Sequence, residues 1–79
     1  MASFQDYMSR AIETQRVRIG LGVEGLARRL GMSRQAYNNH RNGGTTWNLD
    51  DFPKLANALE LPDEWSLIDL AKNESKLAA

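Results

Sequence analysis

The fold of this chain is decided by the stretch Gly22-Val-Glu-Gly-Leu-Ala-Arg-Arg-Leu-Gly-Met-Ser-Arg-Gln-Ala-Tyr-Asn-Asn-His-Arg-Asn-Gly-Gly44. It predicts two short helices joined by a tight turn. The first helix, about residues 23–30, is stopped by Gly31, because glycine readily takes the left-handed conformation that a sharp reversal needs. Ser33 offers a side-chain oxygen to the free N–H groups of the second helix, about residues 34–41.

The outward face of the second predicted helix carries the side chains that indicate a function. If Ala36, Tyr37 and His40 face inward, four polar residues face outward. These are Arg34, Gln35, Asn38 and Asn39. Arginine can bond a guanine edge through two donors, and glutamine or asparagine can bond adenine N6 and N7 together. A merely solvated helix face would more often carry Glu and Lys, so the two helices indicate a DNA-reading helix-turn-helix.

Length and composition narrow the class of protein. Seventy-nine residues make one domain, near the lower limit at which a core alone supports a fold. The absence of cysteine excludes disulfides and cysteine nucleophiles and is compatible with a reducing cytoplasm. No apolar run approaches the roughly 18 residues of a membrane span, and the N-terminus lacks a signal-peptide pattern. We therefore expect a cytoplasmic protein with no membrane partner.

The sequence does not predict an enzyme or a cofactor. It contains no carboxylate pair in a distinct apolar setting, no arrangement of serine and histidine with an orienting acid, and no glycine-rich phosphate loop after a strand. His40 is the only histidine, and without cysteines or an acid next to it in the sequence it makes a poor metal ligand. We expect it to be a packed, hydrogen-bonded side chain.

Charge is divided unequally along the chain. Residues 1–44 carry seven arginines and three acids, a net charge of +4, whereas residues 45–79 carry three lysines and seven acids, a net charge of −4. A basic half that coincides with the predicted helix-turn-helix favours phosphate contact, and an acidic half limits non-specific binding. Chance segregation in a short chain is the alternative interpretation.

One more helix is predicted on each side of this motif. Ser3 caps a first helix of about residues 4–19, and its apolar stripe predicts a core face. The stripe consists of Phe4, Tyr7, Met8, Ala11 and Ile12. Asn48 and Asp51 resemble a capping box that opens a fourth helix ending near Leu59. Because Pro53 would crowd the first turn of such a helix, that helix has an irregular start or begins nearer Asp51.

A fifth helix completes a predicted all-α, five-helix domain. Pro62 suits its first turn, and it runs to about Lys72. Its buried residues are expected to be Trp65, Ile68 and one or both of Leu67 and Leu70. We expect both Trp47 and Trp65 to lie in the core, with a dimer contact as the alternative. Residues 1–72 then form a single domain, and residues 73–79 form a flexible tail.

The order and spacing of these elements resemble the phage repressor and Cro class of helix-turn-helix domains over residues 16–65. The residues that carry the resemblance are Arg16, Gly20-Leu21, Leu26-Ala27, Gly31, Asn42-Gly43 and Leu55-Ala56-Ala58-Leu59. The resemblance implies a compact lambda-repressor-like fold whose partner is a double-stranded DNA operator. It implies that Ser33, Arg34, Gln35 and Asn39 approach the major groove with Asn38 beside them.

The same resemblance implies where phosphates are held. Phosphates would be bound by backbone amides of the segment that follows the helix of about residues 34–41. Amides at the start of the preceding helix, of about residues 23–30, would also bind phosphate. The residues assigned to phosphate in this way, or by their charge, are Arg16, Ser33, Arg41, Asn42, Gly43, Gly44, Thr45 and Thr46.

Four positions depart from the pattern of the family: Tyr37 and His40 stand where relatives usually carry apolar residues, and two further positions bear on DNA contact. Val23 stands where many relatives carry a glutamine that touches DNA or braces the reading helix. Arg41 stands where relatives usually carry an acid that pairs with the arginine matching Arg16. The two arginines would repel each other unless Glu13, Asp50 or a phosphate lies between them. We favour a phosphate contact for at least one arginine over a solvated or carboxylate-paired one.

We expect a sequence-specific transcriptional regulator, a repressor of phage or prophage type. A domain of this size gains specificity as a two-fold pair on half-sites about one turn apart, so we expect a homodimer at least on DNA. The fifth helix, with Trp65 and Leu67, is the expected pairing surface. The alternative is an antitoxin or adaptor module whose main partner is another protein.

Overall fold

The computed structural model describes residues 2–78 and forms five α-helices within that range. They are α1 (Phe4–Arg18), α2 (Val23–Arg29), α3 (Arg34–Arg41), α4 (Asp51–Ala58) and α5 (Glu64–Leu77). The described residues contain no strand, so the all-α prediction is confirmed. Met1 and Ala79, the outer ends of the predicted domain and tail, lie outside the described residues. Between residues 2 and 78, no helix has the length and apolar character needed to cross a membrane.

Two helices begin at the serines that the sequence assigns as caps. The Ser3 hydroxyl accepts a hydrogen bond from the amide of Asp6 at 3.2 Å, and the Asp6 carboxylate accepts one from the Ser3 amide at 2.8 Å. At α3, the Ser33 hydroxyl accepts from the amide of Ala36 at 3.1 Å. These bonds satisfy backbone donors that the first turn of a helix leaves free, so both starts lie where the sequence places them.

The turn between α2 and α3 depends on the left-handed conformation of Gly31, whose φ is 70°. Its amide donates to the carbonyl of Arg28, and the next amide, of Met32, donates to the carbonyl of Ala27, both at 3.0 Å. These bonds satisfy carbonyls in the last turn of α2, and the chain then turns sharply into α3. The end of α4 has the same pattern with Glu60, which adopts a φ of 61° without being glycine.

The fourth helix begins at the later of the two predicted starts. α4 starts at Asp51, with Asp50 as its cap residue and no side-chain capping bond. Pro53 therefore lies in the first turn, where its missing amide has no intrahelical partner to lose. Half of the predicted capping box is present, because the Asp51 carboxylate accepts from the amide of Asn48 at 2.8 Å.

The predicted bounds of the fifth helix are wrong at both ends. Pro62 precedes the helix, and Asp63 caps it by accepting from the amide of Ser66 at 2.9 Å. The helix continues to Leu77, so residues 73–77 are helical where the sequence predicts a tail. The hydroxyl of Thr14 donates to Glu74 at 3.1 Å, which links this last part of α5 to α1.

All five helices contribute to one core. Its buried residues are Met8, Ala11, Ile12, Leu26, Ala27, Tyr37, Trp47, Phe52, Leu55, Ala58, Leu59, Leu67 and Ala71. Trp47 is buried, as predicted, whereas Phe4 and Trp65 are 50% and 66% exposed, so their assignment to the core is wrong. Trp65 lies on the opposite side of α5 from the buried Leu67 and Ala71. Because successive residues of a helix turn by about 100°, a residue at position 65 faces away from the core when positions 67 and 71 face it.

The difference between Trp65 and Leu67 can be measured as free energy of unfolding. We expect Leu67→Ala to lose about 2–5 kcal/mol, because it leaves a cavity in the core. Trp65→Ala, at a chain concentration low enough to keep the protein monomeric, should change stability by roughly 0.5 kcal/mol or less. Urea unfolding of both variants measures this, and equal losses would show that Trp65 packs inside the domain.

Candidate nucleic-acid interface

One side of α3 presents the four polar residues that the sequence assigns to base reading. Arg34, Gln35 and Asn39 are exposed, and Asn38 beside them is half-buried. The helix contains no acidic residue. The exposed side therefore offers a guanidinium and three carboxamides that can reach a nucleic-acid base edge.

The inner side of α3 is held by aromatic packing. Tyr37 is 1% exposed, and the ring of His40 stacks on the indole of Trp47 with centroids 3.8 Å apart and planes 10° apart. The prediction of a packed histidine is therefore correct. Its predicted hydrogen bond is absent, because Nδ1 of His40 is buried and finds no partner among residues 2–78.

Glu13 is the centre of the ionic contacts around α3. Its Oε2 accepts from the hydroxyl of Tyr37 at 2.7 Å, and its Oε1 lies 3.0 Å from a guanidinium nitrogen of Arg41. Arg16 binds both oxygens of the same carboxylate, through Nε at 2.9 Å and Nη2 at 2.8 Å. Bidentate contacts of this kind are among the stronger hydrogen bonds in proteins. The carboxylate therefore joins α1 to the middle of α3, at Tyr37, and to its last residue, Arg41.

These contacts shift the pKa values of Glu13 and Tyr37. The pKa of Glu13 is lowered, chiefly by the hydrogen bonds from Arg16, and also by that from Tyr37, against the opposing effect of burial. The pKa of the Tyr37 hydroxyl is raised, first by burial and then by its bond to Glu13. Both shifts keep Glu13 ionised and Tyr37 protonated as a donor near neutral pH.

The side chain of Arg16, which the sequence assigns to phosphate binding, makes its contacts within the domain. Besides its bonds to Glu13, Nη1 of Arg16 donates to the carbonyl of Leu21 at 2.9 Å, and the side chain is only 14% exposed. Its donors are thus used within the domain. Of the alternatives that the sequence left open between Arg16 and Arg41, the carboxylate of Glu13 is the one that the structure contains.

The loop after α3 also differs from its predicted role. The amides of Asn42, Gly43, Gly44 and Thr45 all donate to carbonyls of α3, at distances of 2.8–3.1 Å. These bonds end the helix and use the hydrogen of each of the four amides within the domain, so the structure does not favour them as phosphate ligands. The side chains of Asn42, Thr45 and Thr46 remain exposed.

A side chain that the sequence analysis missed fixes this loop to α1. The carboxamide of Gln5 accepts from the amide of Trp47 at 2.8 Å and donates to the carbonyl of the same residue at 3.0 Å. The two bonds join residues 42 positions apart. A single glutamine gives no local sequence signal for such a contact.

Beside this contact a cleft of about 400 Å³ opens between the start of α1 and the loop after α3. Its lining includes Arg10, Arg41, Thr45 and Thr46, together with Asp6. Arg10 lies over the ring of Tyr7, 5.7 Å from its centroid, and has no ion pair with a carboxylate among the described residues. Arg10 is therefore a better-placed cation than Arg16 for an anion that approaches the end of α3.

Arg34, the arginine at the start of α3, has a weak partner. It lies 3.2 Å from Glu24 of α2, and both side chains are about two-thirds exposed. Exposed ion pairs contribute about 0–1 kcal/mol, so Arg34 can exchange this contact for another at little cost.

Comparison with known proteins gives no match: no family model, no curated protein and no solved structure is significantly similar to this chain.

The contribution of Glu13 can be separated from that of exposed acids. We expect Glu13→Gln to lower the free energy of unfolding by about 1–2 kcal/mol at neutral pH, because it weakens charged hydrogen bonds in a partly buried place. Glu24→Gln, the matched control at an exposed pair, should change it by less than about 0.5 kcal/mol.

Wild type and Glu13→Gln can also be compared as a function of pH. Because folding lowers the pKa of Glu13, its contribution is complete above the pKa of an unfolded glutamate, about 4.3, and is lost as pH falls through the lowered value. The difference in stability between wild type and Glu13→Gln should therefore shrink as the pH is lowered below about 4. A difference that stayed constant down to pH about 2 would contradict the assigned role of the carboxylate.

Proposed function

We propose that this domain is a sequence-specific double-stranded DNA-binding protein of the phage repressor and Cro type. The observation that carries the proposal is the exposed side of α3, where Arg34 and three carboxamides stand on a helix without acids. The dimensions of the major groove admit one α-helix, and these side chains have the donors and acceptors that distinguish its base pairs.

The packing behind α3 supports this role. Reading bases requires side chains held at a fixed distance from the groove. The helix α3 is held in place by the hydrogen bond of Tyr37 to Glu13 and by the stacking of His40 on Trp47. We assign base contacts to Arg34, Gln35, Asn38 and Asn39. Ser33 contributes by starting the helix, since its hydroxyl is used as the cap.

We assign phosphate contacts to the side chains around the cleft beside α3. Arg10 and Arg41 supply the charge, and Thr45 and Thr46 supply hydroxyl donors. Such contacts fix the register of a protein on the duplex without reading sequence. Arg16 is replaced in this role by Arg10, and the amides of the loop are replaced by its side chains.

The proposed regulatory role follows from the size of the domain. Five helices form one core within residues 2–78, and a single folded domain can act by occupying an operator. We therefore propose a repressor that acts in the cytoplasm. A single α3 reads few base pairs, and a two-fold pair on half-sites one turn apart would supply the rest of the specificity.

The proposal is tested by selection from a randomised duplex pool at near-physiological salt, followed by sequencing of the retained DNA. We expect enrichment of an approximate palindrome. The absence of any enriched sequence with folded protein would contradict the proposal and would favour an antitoxin or adaptor whose main partner is another protein.

Two arginine variants separate base reading from phosphate contact. Arg34→Ala should lose about 1–3 kcal/mol on the selected site and relax the preference at one base pair. Arg10→Ala should weaken binding to all sequences similarly and lower the salt slope by about 1. Binding titrations at several salt concentrations measure both effects, with Lys54→Ala on the exposed part of α4 as the control.

Identical behaviour of Arg34→Ala and Arg10→Ala on selected and unrelated DNA would show that the division into readers and phosphate contacts is wrong. Arg16→Ala should act differently from both. Because its donors bind Glu13 and Leu21, we expect it to lower the unfolding free energy rather than to change the salt slope.

A further inference from the structure

The cleft beside the end of α3 has the size of a small-molecule site. Its volume of about 400 Å³ lies within the range of about 300–1,000 Å³ in which such ligands are bound. One wall comes from the first turns of α1, and the other comes from the end of α3 and the loop that follows it. The fold thus brings two distant parts of the chain together around a concave space.

Two arginines give this cleft a positive charge. Arg10 of α1 has no ion pair among residues 2–78. Arg41 of α3 contacts Glu13 through one guanidinium nitrogen at 3.0 Å, and a guanidinium has several further N–H donors. Both arginines therefore keep donors for an anion that enters the cleft.

Hydroxyl groups line the cleft beside these arginines. They belong to Ser9 of α1 and to Thr45 and Thr46 of the loop, and among residues 2–78 none of the three forms a hydrogen bond. Guanidinium and hydroxyl donors together suit a phosphate monoester, which presents several acceptor oxygens and nearly a double negative charge at neutral pH. A carboxylate offers fewer oxygens and less charge.

Asp6 adds an acceptor to the same lining. Its Oδ2 accepts from the amide of Ser3 at 2.8 Å, and this backbone hydrogen bond is the main cause of the lowered pKa of Asp6. The carboxylate is therefore ionised near neutral pH and can only accept hydrogen bonds. It contributes nothing favourable to a row of DNA phosphates, but it can accept from a hydroxyl group. Asp6 thus indicates a ligand that has hydroxyl donors as well as an anionic group.

We propose that this cleft binds a small phosphate monoester whose carbon chain carries hydroxyl groups, a compound of the sugar phosphate class. Arg10 and Arg41 bind the phosphate, together with the threonine hydroxyls of the loop. Asp6 accepts a hydrogen bond from a hydroxyl group of the sugar.

The ligand regulates DNA binding by competition. Arg10 and Arg41 are also the cations assigned above to DNA phosphates, so a bound sugar phosphate withdraws them from the DNA backbone. By linkage, bound DNA lowers the affinity for the ligand by the same factor. This competition rests on the proposed function, whereas the binding of the ligand does not.

Ligand binding is tested on the full chain in the absence of DNA. Ribose 5-phosphate, inorganic phosphate and ribose are titrated separately at constant pH and ionic strength, and amide NMR spectra are recorded. We expect ribose 5-phosphate to shift the signals of residues 42–46 saturably, with a dissociation constant of about 1 mM or lower. It should bind about tenfold or more tightly than either of the other two compounds, because each of them lacks one of the two groups recognised.

Arginine variants locate the site. Arg10→Gln should raise the dissociation constant of ribose 5-phosphate about tenfold or more, because it removes charged hydrogen bonds. Arg28→Gln is the matched control, since Arg28 is an exposed arginine of α2 outside the lining of the cleft, and it should leave binding unchanged. The same spectra show whether each variant keeps the fold.

Three results would overturn the proposal. The first is an absence of saturation with ribose 5-phosphate up to about 20 mM. The second is an equal effect of Arg10→Gln and Arg28→Gln, which would indicate attraction by net charge alone. The third is inorganic phosphate that binds as tightly as ribose 5-phosphate, which would leave an anion site without recognition of hydroxyl groups.

The competition is measured with the selected duplex at constant ionic strength. Ribose 5-phosphate at ten times its dissociation constant should raise the apparent dissociation constant for DNA about tenfold. Unchanged DNA affinity under these conditions would overturn the regulatory role. A chain that binds the ligand but selects no DNA sequence contradicts only the proposed function, and a chain that selects a DNA sequence but binds no ligand contradicts only this inference.

Discussion

The carboxylate of Glu13 is the point at which α1, α3 and the turn after α1 are joined. It accepts the hydroxyl of the buried Tyr37, binds Arg16 through both oxygens and lies 3.0 Å from Arg41. The Arg16 guanidinium extends the contact to the carbonyl of Leu21. A buried tyrosine hydroxyl and two close guanidinium groups would each be costly without this acceptor. The orientation of α3 in the domain therefore depends on one ionised group of another helix.

A second set of contacts fixes the far end of α3. The stack of His40 on Trp47 holds the last turn of the helix against the loop, and the carboxamide of Gln5 binds both backbone groups of Trp47. The loop is thus bonded to α1 and packed against α3, although it has no regular structure. Its amides are used by α3, so a ligand that approaches there meets the side chains of the cleft.

The arginines of the basic half have different tasks. Arg16 and Arg29 donate to backbone carbonyls and to glutamates, whereas Arg10 has no ion pair among the described residues. A net charge of +4 over residues 1–44 therefore overstates the charge that is free to meet a phosphate.

The sequence by itself determined the class of the fold and the limits of the helices around the central turn. Ser3, Gly31 and Ser33 act through hydrogen bonds and backbone angles within a few residues, so their effects can be derived from neighbours in the chain. The outward side of α3 follows in the same way from helical periodicity. Only the tertiary structure decided that Arg16 is internal and that Trp65 is exposed. Both outcomes depend on which side chains lie nearby after packing. Those neighbours come from residues far apart in the sequence, and no local sequence pattern predicts them.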